Sequence, residues 1–213
     1  MKTVIFMLMF CCLSLPVQAS DAKLEQLDLE TSTAAVQRGA EILMNSCHGC
    51  HGLKYIKYRD LAAFGMDRKK IDEWRGDLPL ETSLISLMPE DAALQSFGII
   101  PPDLSLIIKA REGESSYVYS YLIAYYLTPE GTTGNHIFPE TKMPDALGIS
   151  AITDSAQRME ILAKARDIVS FLAWAADPHE EERHTLGYYV IGYLLALTVL
   201  MYFLKDQIWS RLK

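Results

Sequence analysis

The sequence predicts a mostly α-helical exported domain that is held in a membrane by one C-terminal transmembrane helix. The 213 residues are 50% apolar and 22% charged, a balance that allows a buried core and argues against general disorder. Apolar blocks stand at both ends, and the residues between them show helical periodicity without repeats or strong strand alternation. We therefore divide the chain into a signal peptide (1–19), an exported domain (20–185), a transmembrane helix (186–204) and a short tail (205–213).

The N-terminal block has the form of a signal peptide. Lys2 precedes a mostly apolar, uncharged stretch from Val4 to Leu15, and Pro16 and Ala19 follow it. These features predict cleavage before Ser20 and export of the chain. A short membrane anchor is the weaker alternative, because about twelve apolar residues are too few to cross a bilayer.

The C-terminal block predicts a membrane-spanning helix. Leu186 to Leu204 are nineteen residues without a charge, and as a helix they would be about 28 Å long, close to the thickness of the bilayer core. Three glutamates (180–182) precede this stretch, while Lys205, Arg211 and Lys213 follow it. The excess of positive charge places the tail in the cytoplasm. We expect a single-pass protein of the bacterial inner membrane with its main domain on the periplasmic side.

Four helices are predicted between the two blocks. They are expected at Ala34–Ser46, Leu104–Arg111, Ser116–Leu127 and from Asp154 to Ala176, where Asp154 and Gln157 suggest a capping box. Leu80–Phe97 shows scattered apolar positions and is expected to be loop-rich.

The cysteines indicate a covalently bound haem. Of the four cysteines, Cys11 and Cys12 leave with the signal peptide, and the other two stand in the run Cys47-His48-Gly49-Cys50-His51. This C-x-x-C-H spacing places two sulfurs along one edge of a haem for thioether bonds, and His51 then faces the iron as the proximal ligand. A redox dithiol, half of a zinc site and a structural disulfide are the alternatives.

A second axial ligand is expected from a loop methionine. Met143 lies in a segment bounded by Pro139, Pro144 and Gly148, whose backbone is partly fixed and unlikely to be helical. We favour Met143, with Met88, His136 or an open position as alternatives. Haem propionates also need hydrogen-bond donors, which Arg111 or Tyr117 could supply. Ordinary solvation of Arg111 and packing of Tyr117 are the competing interpretations.

The charge of the chain argues against nucleic-acid binding. Its 20 basic and 27 acidic residues give a net charge of −7, and the stretch from Ser20 to Thr185 alone carries 16 basic and 26 acidic residues. Binding to phosphates requires a basic face. An acidic domain could instead steer a basic protein partner, or its charge could serve solubility alone.

Beyond these patterns, the chain resembles the cytochrome c1 family, the haem c subunits of cytochrome bc complexes. Several motifs besides C-x-x-C-H carry the resemblance: Pro101-Pro102-Asp103-Leu104-Ser105 followed by Lys109-Ala110-Arg111, then Tyr117-Val118, Lys142-Met143-Pro144, and the run from Phe171 to Pro178 before the anchor. The resemblance covers nearly the whole mature chain.

The resemblance implies a function and a set of residue roles. Cys47, Cys50, His51 and Met143 match the attachment and iron-ligand positions, and Arg111 and Tyr117 match positions near the propionates. It implies a cytochrome c-like haem domain that accepts electrons from a Rieske iron–sulfur protein, works beside cytochrome b, and passes electrons to a soluble or membrane-bound cytochrome c. Such a subunit has no catalytic site of its own.

Three other functions remain to be compared with this one. A membrane-tethered cytochrome that shuttles between complexes would need a flexible linker before its anchor, and only about nine residues separate Asp177 from Thr185. A haem peroxidase would need an open iron site, which a methionine-to-iron absorption band would exclude. A structural anchor subunit without redox chemistry would not need the haem motif.

Overall fold

The computed structural model describes residues 23–211 and is mostly helical, as the sequence predicts. The predicted signal peptide lies outside the described residues. Six α-helices follow one another within residues 23–211: α1 (Thr33–Ser46), α2 (Arg68–Arg75), α3 (Glu90–Phe97), α4 (Glu114–Ile123), α5 (Ser155–Ala176) and α6 (Glu180–Ser210). Short 3-10 turns cover Tyr58–Phe64 and Ile149–Ala151.

The centre of the fold is the crossing of α1 and α5, the two helices that pack most extensively against each other. Gly39 makes the close approach possible, because a Cβ at this position would stand 1.9 Å from the carbonyl oxygen of Asp167. Beside it, the guanidinium of Arg38 donates two hydrogen bonds to the Asp167 carboxylate at 2.7 and 2.8 Å. Both helices begin with side-chain caps, from Ser32 and Asp154.

One hydrophobic core extends from this crossing to α4 and the first strand. Its largest fully buried side chains come from α1, the segment 53–84 and the second half of α5: Leu43, Leu53, Ile56, Tyr58, Leu61, Ile71, Leu84, Ile168, Val169 and Phe171. This core supports the C-x-x-C-H segment directly, because Cys47 belongs to the same buried cluster.

Two small antiparallel sheets complete the described part of the chain. β1 (Leu53–Lys57) pairs with β2 (Ser83–Leu84), and β3 (Tyr125–Leu127) pairs with β4 (Thr133–Asn135). The predicted helix at Ser116–Leu127 is wrong at its C-terminal end. The observed helix, α4, ends at Ile123, and residues 125–127 form β3. The chain turns back through Pro129 and through Gly131, whose φ of +79° suits a tight turn.

The predicted helix at Leu104–Arg111 is wrong. Residues 105–110 form a succession of hydrogen-bonded turns. The reason is local competition: the Asp103 carboxylate accepts the backbone N–H groups of Ser105 and Lys54, and the Ser105 hydroxyl accepts from Tyr55. These bonds tie the segment to β1 instead of letting it wind into a helix.

The prediction of a loop at Leu80–Phe97 is wrong in its second half. Helix α3 begins after Pro89, carries Glu90 and Asp91 in its first turn, and ends at Gly98, which has a left-handed φ of +73°. A proline before the helix, acidic residues in its first turn and a glycine after it are ordinary signals of a helix. The irregular spacing of the apolar residues made the helix hard to recognise from the sequence. Met159, near the start of α5, is 65% exposed because the buried face of this helix begins only at Ala165.

The C-terminal helix α6 contains the whole predicted transmembrane segment. Its 31 residues would extend about 46 Å, and within residues 23–211 it is the one helix that is long and apolar enough to cross a bilayer. Only three residues, 177–179, separate it from α5. The first of them, Asp177, accepts hydrogen bonds from Lys109 at 2.8 Å and from Arg183 at 2.7 Å.

Candidate haem site

An apolar cleft lies beside the C-terminal end of α1. The residues that line it come from three stretches of chain, namely the C-x-x-C-H segment, the residues after α3, and the loop that carries Met143. They are Ser46, Cys47, Cys50, His51, Phe97, Ile99, Pro101, Pro102, Lys142, Met143, Pro144 and Ala146.

The cysteines enter the cleft because α1 ends directly before them. Cys47 is the C-cap residue of α1, and its carbonyl oxygen accepts the N–H groups of Cys50 at 3.0 Å and His51 at 2.9 Å. This tight turn brings both thiols and the imidazole to one side of the segment. The two cysteines are not joined by a disulfide, and burial, with a smaller contribution from Cys50, raises the pKa of the Cys47 thiol to about 11.

One ring nitrogen of His51 makes a hydrogen bond, and the other is available as a metal ligand. Its Nδ1 lies 2.8 Å from the carbonyl oxygen of Pro102, which can only accept, so Nδ1 carries the proton and Nε2 keeps its lone pair. Burial lowers the pKa of His51, while the Pro102 carbonyl and the Asp103 carboxylate oppose this effect. The imidazole is therefore held neutral and oriented, as a metal ligand requires.

Two hydrogen bonds from other segments of the chain hold the C-x-x-C-H motif in place. The Ser86 hydroxyl donates to the Cys50 carbonyl at 3.0 Å, and the Leu104 N–H donates to the Gly52 carbonyl at 2.8 Å. His48 is buried, with Nδ1 3.2 Å from the His51 carbonyl oxygen. The segment between the cysteines is thus packed on the protein and does not project into solvent as a free loop.

Met143 lies on a loop beside the cleft. Both its backbone N–H and its backbone carbonyl make hydrogen bonds. Its carbonyl oxygen lies 3.0 Å from the Tyr125 hydroxyl, and its N–H donates to the Thr141 hydroxyl at 3.2 Å. Burial raises the pKa of Tyr125, and the neighbouring Tyr121 adds to this shift, so the hydroxyl stays protonated and able to donate. Of the second-ligand candidates, Met143 is the one that lines the cleft.

The other candidates lie elsewhere. The N–H of Met88 donates to the Ser86 hydroxyl, and Met88 does not line the cleft. His136 is exposed and stacks on Tyr126, with ring centroids 4.1 Å apart.

Arg111 and Tyr117 are not among the residues that line the cleft. Arg111 is exposed and donates to the carbonyl of Ala110, while Tyr117 is half-buried and stacks on Tyr121 at 6.5 Å. Their proposed contacts with propionates remain predictions.

Sequence reasoning missed the residues that support the Met143 loop. Tyr121, Tyr125 and Thr141 surround its backbone, and the buried side chain of Asn135 joins the Tyr121 carbonyl to the N–H groups of residues 137 and 138. The tyrosine-rich run at 117–126 was a signal, but amphipathic packing explained it equally well. Only the fold shows which of these hydroxyls meet the loop.

The donor set of this cleft fits a haem. Apolar walls suit the macrocycle, two thiols stand at thioether spacing, and a neutral imidazole nitrogen and a thioether are available as iron ligands. No group of three or more histidine, cysteine or acidic side chains within residues 23–211 forms a competing metal site. The zinc alternative therefore has no ligand set in this part of the chain.

Comparison with known proteins agrees with this geometry. The model of the Cytochrome C1 family matches residues 24–84 and 84–212. Cytochrome c1 of Allochromatium vinosum is 32% identical over 207 residues, which cover 83% of this chain and 84% of that protein. The mitochondrial haem protein cytochrome c1-2 of Solanum tuberosum is 31% identical over 210 residues, covering 84% of this chain and 80% of that one.

A solved structure shares the fold. One chain of a hyperthermophilic respiratory Complex III aligns over 100% of this chain and 98% of its own length, with a TM-score of 0.50 and 20% identity. The family match spans the cleft, the α1–α5 crossing and the C-terminal helix together. This chain belongs to the cytochrome c1 family.

Proposed function

We propose that this chain is the haem-bearing electron-transfer subunit of a cytochrome bc complex. Cys47 and Cys50 bind the haem covalently, His51 is the proximal ligand and Met143 the distal one. The observation that carries the proposal is the single cleft that brings these four residues together from segments more than 90 positions apart in the sequence. Family membership and the named haem proteins among the relatives support the same cofactor.

The bound haem supplies a one-electron redox centre, and the chain sets its properties. The Pro102 carbonyl fixes the His51 ring and its tautomer. Phe97, Ile99 and Pro144 give the cleft an apolar lining that limits the access of water. A thioether ligand in such surroundings favours the reduced iron and raises the potential, as suits a carrier that accepts from a Rieske centre.

The partners of the subunit follow from its family and its charge. We assign cytochrome b and a Rieske iron–sulfur protein as neighbours within the complex, and a soluble or membrane-bound cytochrome c as the acceptor. The net charge of −10 between Ser20 and Thr185 supports electrostatic steering of a basic acceptor. The haem domain would lie on the periplasmic side after removal of residues 1–19, with 186–204 in the lipid bilayer.

The connection between α5 and α6 supports a fixed subunit over a tethered shuttle. A shuttle needs a linker long enough to let its haem domain travel. Here three residues join the helices, and the Asp177 carboxylate binds Lys109 on one side and Arg183 on the other. This geometry favours a haem domain held at a constant height above the membrane.

The proposal can be tested on the protein extracted from its own membranes in a mild detergent. We expect a haem mass adduct on the chain, co-purification of cytochrome b and a Rieske protein, and a methionine-to-iron absorption band in the oxidised state. Met143→Leu should abolish that band, whereas Met88→Leu should preserve it. A colourless chain, or one isolated without either partner subunit, would overturn the assignment.

A further inference from the structure

Four hydrogen-bond contacts join the two backbone polar groups of Met143 and three side-chain hydroxyls in a ring. The Met143 N–H lies 3.2 Å from the Thr141 hydroxyl oxygen, which lies 2.5 Å from the Tyr121 hydroxyl. The Tyr121 hydroxyl is 3.1 Å from that of Tyr125, which returns to the Met143 carbonyl oxygen at 3.0 Å. All four distances lie within or close to the range of real hydrogen bonds.

Chemistry settles the direction of the two bonds to the Met143 backbone. The Met143 carbonyl can only accept, so the Tyr125 hydroxyl donates to it. The Met143 N–H can only donate, so the Thr141 hydroxyl oxygen accepts it. The Tyr121 hydroxyl lies within hydrogen-bond distance of both other hydroxyls and links them.

The ring is anchored to the fold at places remote from the cleft. Tyr121 lies on α4 and Tyr125 opens β3, which pairs with Asn135 at the end of β4. The Asn135 side chain donates to the Tyr121 carbonyl at 2.8 Å and is fully buried. Helix α4 and the β3–β4 sheet are thus connected to the loop through the N–H and carbonyl groups of Met143.

We propose that the hydroxyl ring of Tyr121, Tyr125 and Thr141 is the positioning device that holds the Met143 thioether at the haem iron. The inference rests on the proposed function, in which Met143 is the distal ligand. The three residues do not touch the iron; they act by fixing the backbone from which the thioether extends. Their loss should weaken methionine ligation before it alters the haem attachment, which depends on Cys47 and Cys50.

The test uses the haem-loaded full chain and compares two neighbouring tyrosines. Tyr125→Phe removes the hydroxyl that donates to Met143 and keeps the ring. Tyr126→Phe removes the hydroxyl of the next residue, which lies on the other side of β3, stacks on His136 and is partly exposed. The oxidised protein is titrated with imidazole. The loss of its methionine-to-iron absorption band is the measured signal.

We expect the Tyr125→Phe chain to lose the absorption band at about 2- to 10-fold lower imidazole concentration than the unchanged chain. This factor corresponds to the loss of one hydrogen bond. Tyr126→Phe should titrate like the unchanged chain. Equal titrations for Tyr125→Phe and the unchanged chain would overturn the positioning role.

Thr141 provides the second pair of variants if Tyr125→Phe does not fold. Thr141→Val removes the hydroxyl at nearly the same shape, while Thr141→Ser keeps it. We expect weaker methionine ligation in the valine variant and recovery in the serine variant, which a simple packing role would not produce. Equal behaviour of the two would count against the ring.

Failure of the underlying function has a different signature. If the unchanged chain carries haem and shows no methionine-to-iron band, then Met143 is not the ligand and the proposed ligand set falls. If the band is present and all four variants leave its titration unchanged, the ligand set stands and the positioning role alone is wrong.

Discussion

Single residues hold the two candidate iron ligands by different means. His51 follows Cys47 by four positions, and one tight turn plus one carbonyl contact, from Pro102, fixes its ring. Met143 depends on three hydroxyl groups from α4, β3 and its own loop. The proximal ligand is thus positioned mostly by local sequence, and the distal one by tertiary contacts.

Gly39→Ala should destabilise the fold. The new methyl group would stand 1.9 Å from the Asp167 carbonyl oxygen and 2.9 Å from Cβ of Phe171, so α1 and α5 would have to move apart. Such overpacking costs about 1–3 kcal/mol or more, which would lower the thermal unfolding midpoint by roughly 2–12 °C in a chain of this size.

Gly49→Ala is the matched control for this substitution. A Cβ at Gly49 would meet nothing within 4 Å, so the unfolding midpoint should stay close to that of the unchanged chain. The comparison is made by thermal unfolding of the haem-loaded proteins in the same detergent. Equal midpoints for the two variants would contradict the close approach at Gly39.

Among the elements, the junction of α5 and α6 decides how the haem domain stands on the membrane. Pro178 ends the helical path of α5, and α6 begins again at Glu180. Asp177, between them, is bonded to a loop lysine and to the first turn of the membrane helix. The two helices are thereby joined at a defined angle and not by a flexible tether.

Asp177→Asn should loosen this junction. Lys109 first, and then Arg183, lower the pKa of Asp177 below its ordinary value, so the carboxylate is charged throughout the neutral range. Its contacts should persist at neutral pH and be lost only as the pH falls below the ordinary aspartate value, through the lowered one. Amide hydrogen exchange of residues 177–183 should rise a few-fold in the variant at neutral pH.

Glu182→Gln serves as the control at the junction. Glu182 lies in the same first turn of α6 and pairs only with the exposed His179 among the described residues. Its replacement should leave the exchange of residues 177–183 nearly unchanged. An equally large rise in both variants would show that the general charge of the turn, and not the Asp177 contacts, stiffens the junction.

At the scale of the whole molecule, the proposed encounter with a cytochrome c acceptor should depend on charge. The acidic balance between Ser20 and Thr185 should accelerate association with a basic cytochrome c by long-range attraction. Because salt screens such attraction within about 8–10 Å at ordinary ionic strength, the rate of cytochrome c reduction should fall as salt is added. Stopped-flow measurement over a salt series checks this, and a rate that does not depend on salt would leave the charge with a role in solubility only.

The sequence by itself determined the features that depend on neighbours along the chain. The C-x-x-C-H spacing indicates the haem, and nineteen uncharged residues indicate the membrane helix. The periodicity of α1 and the capping box of α5 locate both helices to within a residue. These features follow from short-range geometry and from the cost of placing charge in lipid, so local sequence is sufficient to read them.

Only the tertiary structure decided which distant groups meet. Segment 104–111 looked helical, but Asp103 and Ser105 bond to β1 and prevent the helix. Met88 and Met143 both stand before a proline, and only the fold brings Met143 to the cleft and surrounds it with Tyr121 and Tyr125. The reason is physical: long-range hydrogen bonds and packing carry no local pattern, and they override weak local propensity wherever the two disagree.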